Sequence, residues 1–236
     1  MSRIFLISLL FLFPPTGKDI VKKMYDRYAG KWCHSFTFNQ TTEVYRNDSL
    51  RSTQTWYEFI RFPNRFRMDF GLADSGNAAI FRGDSCYRFR SGKLRSITIN
   101  NNEGLIFLIG GMFFHPLGET LDSIRSLGYD LDKMHEDSWQ GRPVYVIGAD
   151  KDDLASNQIW FDAEQLYLVR MLRSDGPQKM EARFDNYQRF DGGFMATKCT
   201  FYINGRLAQV ETYHDCKANI SLEDGIFDPS NFVHSH

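Results

Sequence analysis

Two runs of alternating residues on either side of Pro63 constrain the fold of this chain most strongly. Residues 55–70 read TWYEFIRFPNRFRMDF, and such alternation has the period of two that is typical of β-strands. Since proline has no backbone N–H to donate to a sheet, we expect Pro63 at a bend, a bulge or an edge. The apolar positions are rich in Phe and Met, which suit bulky core packing and also the lining of a cavity for a flexible apolar ligand.

The composition is that of a globular domain without affinity for nucleic acid. The 236 residues suffice for one large domain, and all-β folds often reach this size as a single unit. The chain is 42% hydrophobic and 24% charged, with 21 phenylalanines. Its formal net charge of −1 and the lack of a long basic run argue against binding to nucleic acid or to an anionic membrane.

The N-terminus has the pattern of a signal peptide. Arg3 precedes the apolar run Ile4–Phe13, which ends at Pro14-Pro15; about ten apolar residues suit a signal-peptide core and are too few to span a bilayer. The alternative is a buried N-terminal strand or helix. No Ala-x-Ala site and no nearby lipidation cysteine follow. We predict a signal peptide at residues 1–17, cleaved near Gly17, and an exported, unanchored periplasmic domain at residues 18–236.

The four cysteines permit two disulfides if the protein is exported. They are Cys33, Cys86, Cys199 and Cys216, and none forms a Cys-x-x-Cys pair, which argues against thioredoxin chemistry and structural zinc. Cys199 and Cys216 flank one predicted hairpin and are the first candidates for a disulfide. Free buried thiols are the alternative.

The rest of the chain reads as strands with a few helices. Residues 19–28 space their apolar side chains on one helical face, and residues 103–114 and 117–127 fit two short helices that must pack against a sheet. Asn204-Gly205 closes the clearest hairpin, because both residues tolerate positive φ. About eleven strands without crossover helices predict an antiparallel sheet. The fold class is therefore α+β, mostly β.

The order of these segments resembles the LolA/LolB-like family of periplasmic lipoprotein carriers. The first helix leads into a strand with Phe38-Asn39-Gln40, similar to the family's F-x-Q, and residues 56–70 are similar to its strand pair around R-P-x-x-F-R-W. The further matching segments are Asn157–Asp162 with Leu166–Arg170, Asn219–Leu222 and Phe227-Asp228-Pro229. Each motif is weak alone; their order and spacing over most of residues 18–229 carry the resemblance.

The resemblance implies a curved antiparallel half-barrel whose short helices cover an apolar cavity that receives acyl chains. Carriers of this family commonly place an arginine immediately before the strand-pair proline, where it contacts the lid and helps to gate the cavity. Here that position is Phe62, and Arg61 lies one residue earlier. An offset of one residue points the side chain to the opposite face of the strand. We therefore expect a broader role, as a carrier or sensor of lipids or lipidated proteins.

Binding an acyl chain requires adaptable apolar surface rather than reactive groups, and Phe, Met and Leu provide it. The candidate cavity-lining residues are Phe59, Phe66, Met68, Phe70, Leu105, Leu108, Met112, Phe113, Phe161, Met171 and Phe201. Plain core packing would use the same apolar faces and is the alternative for each of them. Gly110-Gly111 can hinge a lid or allow close helix–sheet packing, and we favour close packing. Gly192-Gly193 reads as a turn.

No pattern of catalytic residues emerges, and we expect no enzyme, metal or cofactor. The histidines are scattered without metal-ligand spacing, and G-x-S-x-G, P-loop and H-E-x-x-H motifs are absent from the sequence. We expect Asp162 to make a turn rather than to act as a general base.

Three functions remain open: a monomeric carrier of acyl chains of lipoproteins or lipids, an envelope interaction module with a filled cavity, and a small-molecule enzyme. For the first, the expected partners are inner-membrane donor and outer-membrane acceptor proteins in lipoprotein sorting.

Overall fold

A computed structural model describes residues 14–72, 74–100 and 103–234. The helices are α1 (Gly17–Tyr28), α2 (Glu103–Ile109) and α3 (Leu117–Ser126), with 3-10 helices at Gly111–Phe114 and Asp224–Phe227. The strands are β1 (Ser35–Arg46), β2 (Ser49–Arg61), β3 (Arg65–Phe70), β4 (Ala78–Arg82), β5 (Ser85–Arg90), β6 (Lys93–Ile99), β7 (Met134–Trp139), β8 (Arg142–Ile147), β9 (Gln158–Asp162), β10 (Leu168–Asp175), β11 (Gln178–Asp185), β12 (Gln188–Phe190), β13 (Gly193–Met195), β14 (Lys198–Ile203) and β15 (Arg206–Ala218).

Thirteen strands form one antiparallel sheet in the order β6-β5-β4-β3-β2-β1-β15-β14-β11-β10-β9-β8-β7. The strands β6 and β7 are its two edges, so the sheet is a curved half-barrel that does not close into a barrel. The predicted mostly-β half-barrel is confirmed. The strand count exceeds the predicted eleven, because β7 is a charged edge strand and β12 and β13 form a separate hairpin of three residues each.

Helix α1 begins where its sequence can satisfy the first backbone N–H groups. Thr16 and Asp19 form a capping box, and Ile20, Val21 and Met24 lie on the buried side. Gly17 is also buried, and a Cβ there would lie 2.8 Å from Ile147. The folded domain therefore includes Thr16 and Gly17. The predicted signal peptide falls mostly on residues 1–13, outside the described residues, and it stays a prediction.

The face of the sheet that the helices cover is called here the inner face. Phe36 opposes Ile60 and Ile60 opposes Phe66 across β1, β2 and β3, and all three side chains are buried in the main core with the helices. The alternate positions point to the outer face, where Phe59 opposes Arg67. The predicted strand pair around Pro63 is confirmed, with Pro63 in the turn between β2 and β3.

The outer face beside β3 and β4 is covered by the C-terminal segment, residues 219–234. The Arg67 side chain, 1% exposed, donates to the backbone oxygens of Ile226 and Val233 at 2.9 and 2.8 Å and pairs with Asp69 at 2.8 Å. Phe232 packs on Phe89 with ring centroids 4.7 Å apart. A buried guanidinium with these partners ties the end of the chain to the sheet.

The predicted Cys199–Cys216 disulfide is wrong, since all four cysteines are free. In the register of β14 with β15, Cys199 opposes Glu211, which places Cys216 further along β15. Among the described residues, no helix is long and apolar enough to cross a membrane.

Candidate functional site: a cavity under the helical lid

A narrow apolar cavity lies between the inner face of the sheet, the helix α2 and the hairpin β12–β13. The space among its lining atoms amounts to about 540 Å³, including the part that is open to solvent. The centre of a water-sized sphere can occupy about 50 Å³ of this space. The lining residues are Met24, Trp32, Leu105, Leu108, Ile109, Phe113, Phe161, Leu166, Tyr167, Leu168, Phe184, Tyr187, Phe194, Met195, Ala196, Cys199 and Tyr213. The walls are thus almost wholly apolar and contain the adaptable side chains of Phe, Leu and Met.

The lid, defined as α2 and the 3-10 helix Gly111–Phe114, approaches the sheet closely because two glycines carry no side chain. A Cβ on Gly110 would lie 2.2 Å from Trp32 Nε1, and one on Gly111 would lie 2.8 Å from the backbone oxygen of Pro63. Thr120 Oγ1 donates to the backbone oxygen of Met112 at 2.8 Å and joins the lid to α3. Gly110-Gly111 therefore serves the predicted close packing.

Trp32 joins the lid to the hairpin β12–β13. Its ring centroid lies 5.2 Å from that of Tyr28 and 4.9 Å from that of Phe113. On the hairpin side, a Cβ on Gly193 would lie 2.3 Å from the Trp32 ring. Gly192 lies in the turn between β12 and β13, as predicted, and Gly193, the first residue of β13, is a point of close contact. Trp32 forms the shared wall between the two elements that cover the cavity.

Phe62, which stands where the carrier family commonly has an arginine, contacts the lid. The Phe62 ring is buried and stacks on Phe114 of the lid, with centroids 5.9 Å apart and ring planes 10° apart. Arg61 points to the outer face, where its Nη2 lies 2.5 Å from Asp224 Oδ1 in the C-terminal segment. The lid thus rests on an aromatic contact at the position where the family has an arginine.

Of the eleven predicted lining residues, four lie in the cavity wall: Leu105, Leu108, Phe113 and Phe161. Phe66, Met112 and Met171 are buried in the surrounding core, and Met68, Phe70 and Phe201 are partly buried against it. Phe59 lies on the outer face, in a surface depression with Tyr57 and Asp215. The alternation was read correctly, but aromatic residues occupy both faces of β2, so the sequence did not identify the inner one.

Trp32 and the residues of the hairpin wall were not predicted as part of the site. Tyr187, Phe194 and Met195 line the cavity from the segment that includes β12 and β13. Their only sequence signal was a pair of aromatic residues around Gly192-Gly193. Trp32 lies two residues after Gly30, in the segment between α1 and β1, and this segment has no periodic pattern that predicts which side chains are buried.

A pair of buried carboxyl groups lies behind the cavity wall, and it was not predicted. Glu58 and Glu211 are 5% and 7% exposed on the inner faces of β2 and β15. Tyr213 Oη, in the cavity wall, donates to Glu211 Oε2 at 2.8 Å and lies 3.2 Å from Cys199 Sγ. Gln209 Nε2 donates to Glu211 Oε1 at 2.5 Å.

Burial is the main cause of the unusual titration of this pair. It raises the pKa of Glu58 well above the ordinary value, and the neighbouring Glu211 raises it further. Burial also raises the pKa of Glu211, although hydrogen bonds from Tyr213, Gln209 and Gln40 oppose this shift. Because two adjacent buried carboxylates repel each other, the pair retains a proton to higher pH than an exposed glutamate does.

The described residues contain no group of three or more His, Cys, Asp or Glu side chains placed to hold a metal ion. Asp162 makes the predicted turn: its Oδ1 accepts from the backbone N–H groups of Glu164 and Gln165 at 3.0 and 2.6 Å. The site as a whole is suited to holding apolar groups by burial.

At the level of sequence, neither a protein-family model nor a curated protein matches this chain. Solved structures do match its fold. A DUF1329 family protein from Desulfovibrio piger aligns with a TM-score of 0.64 at 13% identity, over 91% of this chain and 96% of that one. A LolA superfamily protein from Nitrosomonas europaea aligns with a TM-score of 0.58 at 15% identity, over 91% and 98%.

A third structure, a domain from Vibrio parahaemolyticus named for outer membrane lipoprotein sorting, aligns with a TM-score of 0.61 at 14% identity, over 91% of this chain and 97% of that one. These alignments span almost the whole of each partner, including the open sheet. The resemblance found in the sequence motifs is thus confirmed for the fold: this protein has the LolA-like half-barrel fold.

Proposed function

We propose that this protein is an exported periplasmic carrier that binds the acyl chains of lipoproteins or lipids in the cavity under the lid. The observation that carries the proposal is the cavity itself, lined by adaptable apolar side chains on a fold shared with a LolA superfamily protein and a lipoprotein-sorting domain. Each methylene removed from water contributes about 0.8 kcal/mol, so a short length of chain is enough for useful affinity.

The narrowness of the cavity defines how a chain would enter. The volume open to a water-sized sphere, about 50 Å³, accommodates a few small molecules and no long chain. Binding therefore requires the lid and the hairpin β12–β13 to move apart. Trp32 contacts both elements through Gly110 and Gly193, so it is the contact that opening would break. Release to an acceptor in the outer membrane would reverse this movement.

The same narrowness favours a second candidate, an envelope interaction module whose cavity is filled by its own side chains. In that case the apolar walls would serve only as core, and a partner would bind elsewhere on the domain. The absence of bound lipid under all conditions would support this function.

The buried polar cluster does not favour an enzyme over a carrier. Glu58 and Glu211 lie behind the wall, outside the set of cavity-lining residues. Raised pKa values keep acidic groups protonated, which weakens them as bases and nucleophiles, and burial raises the pKa of Tyr213 and of Cys199 as well. We infer a structural role for the cluster and a protein without catalytic activity.

The experiment that tests the carrier function is mass spectrometry of lipids extracted from the protein after purification from a cell envelope. We expect a stoichiometric lipid or acylated peptide, and its loss in the variant Leu105→Asp, which places a charge in the cavity wall. Phe107→Asp is the matched control, because Phe107 is a partly buried residue of the same helix outside the cavity lining. If the protein contains no lipid and takes up no fluorescent fatty acid, the carrier function is excluded.

A further inference from the structure

A second depression adjoins the cavity on the outer side of the same end of the sheet, and it is called here the rim groove. About 530 Å³ of it is open to the centre of a water-sized sphere. Its polar lining includes Gln140, Arg142, Asp162 and Asp185. Four aromatic residues line both the groove and the cavity: Tyr167, Phe184, Tyr187 and Phe194. The two spaces are thus separated by one layer of side chains.

That layer consists of aromatic rings. Tyr167 and Tyr187 stack with ring centroids 3.7 Å apart, and Phe194 lies 5.6 Å from Tyr167. Tyr187 and Phe194 belong to the segment around β12–β13 that also covers the cavity. A movement of this hairpin away from the sheet would therefore join the cavity to the rim groove. A ligand can then occupy both spaces at once.

The polar side of the rim groove presents donors and acceptors of both charge signs. The Arg142 side chain is 65% exposed; its Nη1 donates to Tyr167 Oη at 2.6 Å and lies 3.9 Å from Asp162 Oδ2. Gln140 Nε2 donates to Asp185 Oδ1 at 3.1 Å. The Asp162 side chain is only 6% exposed and makes a turn, so it serves to hold Arg142 in place. A guanidinium has five N–H donors and a carboxylate about four acceptor positions, so Arg142 and Asp185 keep capacity for a ligand.

This combination of groups selects a chemical class. An anionic headgroup would meet Asp185, and a cationic one would meet Arg142, so a net charge of either sign finds a like charge. A neutral group with several hydroxyls donates to the Asp185 carboxylate, accepts from the Arg142 guanidinium, and can lay its C–H face on an aromatic ring. Aromatic surface with a few convergent polar groups is the usual composition of a ligand pocket.

We propose that the rim groove binds a neutral, hydroxyl-rich, sugar-like headgroup whose acyl chain occupies the cavity. This inference rests on the proposed carrier function and names its ligand class as a glycosylated amphiphile. Arg142 and Asp185 bind the hydroxyls, and the Tyr167–Tyr187 stack marks the point where the chain turns into the cavity.

The test compares ligands that share one chain and differ in the headgroup. Binding of dodecyl maltoside, anionic dodecyl phosphate, cationic dodecyltrimethylammonium and maltose alone is measured by isothermal titration calorimetry, each detergent below its critical micelle concentration. We expect the maltoside to bind about tenfold more tightly than either charged detergent, and Arg142→Ala to remove that preference. The control is Arg206→Ala, at an exposed arginine that begins β15.

The other outcomes separate this inference from the proposed function. Equal binding of the three detergents, unchanged in Arg142→Ala, overturns the headgroup site and leaves the carrier function standing. Tightest binding of a charged detergent also overturns it. If maltose alone binds as tightly as the maltoside, the groove binds free saccharide and the lipid part of the inference is wrong. If no detergent binds, the carrier function fails, and this inference fails with it.

Discussion

Gly110 packs edge-on against Trp32, so closely that a Cβ on this glycine would lie 2.2 Å from Trp32 Nε1. The contact holds the lid against the segment between α1 and β1. It explains why the helix α2 ends at Ile109 and the chain continues as a 3-10 turn: the backbone itself must approach the indole ring. A side chain at position 110 would displace either the lid or the tryptophan.

We predict that Gly110→Ala lowers the free energy of unfolding by about 1–3 kcal/mol, because overpacking forces the lid and the Trp32 ring apart. The measurement is urea unfolding followed by circular dichroism. The control is Gly118→Ala in α3, where nothing lies within 4 Å of the new Cβ. There we expect a gain of about 0.5 kcal/mol, since alanine is the better helix residue. Equal stability of the two variants would contradict the close contact.

Because Glu58 and Glu211 are buried together, we predict that their contribution to the stability of the protein falls as the pH rises. Burial and the neighbouring Glu211 raise the pKa of Glu58 above the ordinary value of 4.5. A carboxyl whose pKa is raised on folding binds more protons in the folded than in the unfolded state. Its contribution to stability is therefore complete below pH 4.5 and is lost as the pH rises through the raised pKa.

We accordingly expect Glu58→Gln to flatten the fall in stability that the wild type shows as the pH rises above 4.5, and to be more stable than the wild type at the alkaline end of the profile. The measurement is the free energy of unfolding as a function of pH. Glu136→Gln, at an exposed position of the edge strand β7, is the control and should follow the wild-type profile. A Glu58→Gln profile parallel to that of the wild type would show that Glu58 titrates normally.

Arg67 anchors the C-terminal segment to the outer face. We predict that Arg67→Ala lowers the free energy of unfolding by about 3 kcal/mol, because the backbone oxygens of Ile226 and Val233 lose a buried donor and Asp69 loses its ion pair with the guanidinium. Hydrogen exchange of residues 224–234 should accelerate at the same time. In contrast, Arg82→Ala removes a pair that is half exposed, with 3.7 Å between Arg82 Nη1 and Asp228 Oδ1, and should cost less than about 1 kcal/mol.

The state of the four cysteines is a further prediction. Burial raises the pKa of Cys33 to about 12 and that of Cys216 to about 11, so little thiolate is present at pH 8. We expect slow alkylation by iodoacetamide in the folded protein, with half-buried Cys216 modified first, and rapid modification of all four thiols in guanidinium chloride without reductant. An intact mass about 2 Da below that of the fully reduced protein would indicate one disulfide and would contradict this assignment.

Local sequence determined much of this fold. The period of two on either side of Pro63 identified β2 and β3, and Asn204-Gly205 identified the turn between β14 and β15. These features depend on interactions among residues near in sequence, such as the missing N–H of proline and the tolerance of Asn and Gly for positive φ. The helical spacing of residues 19–28 likewise identified α1.

The inner face of each strand and the walls of the cavity were decided by the tertiary structure. Trp56, Glu58 and Ile60 share one face of β2, and Tyr57 and Phe59 share the other, so hydrophobicity alone favours neither. Glu58 shares the inner face with Ile60, and β1 and β15 place Glu211 and Tyr213 beside it, although both lie more than 150 residues away along the chain. Burial, the source of its raised pKa, depends on neighbours that only the folded sheet brings together.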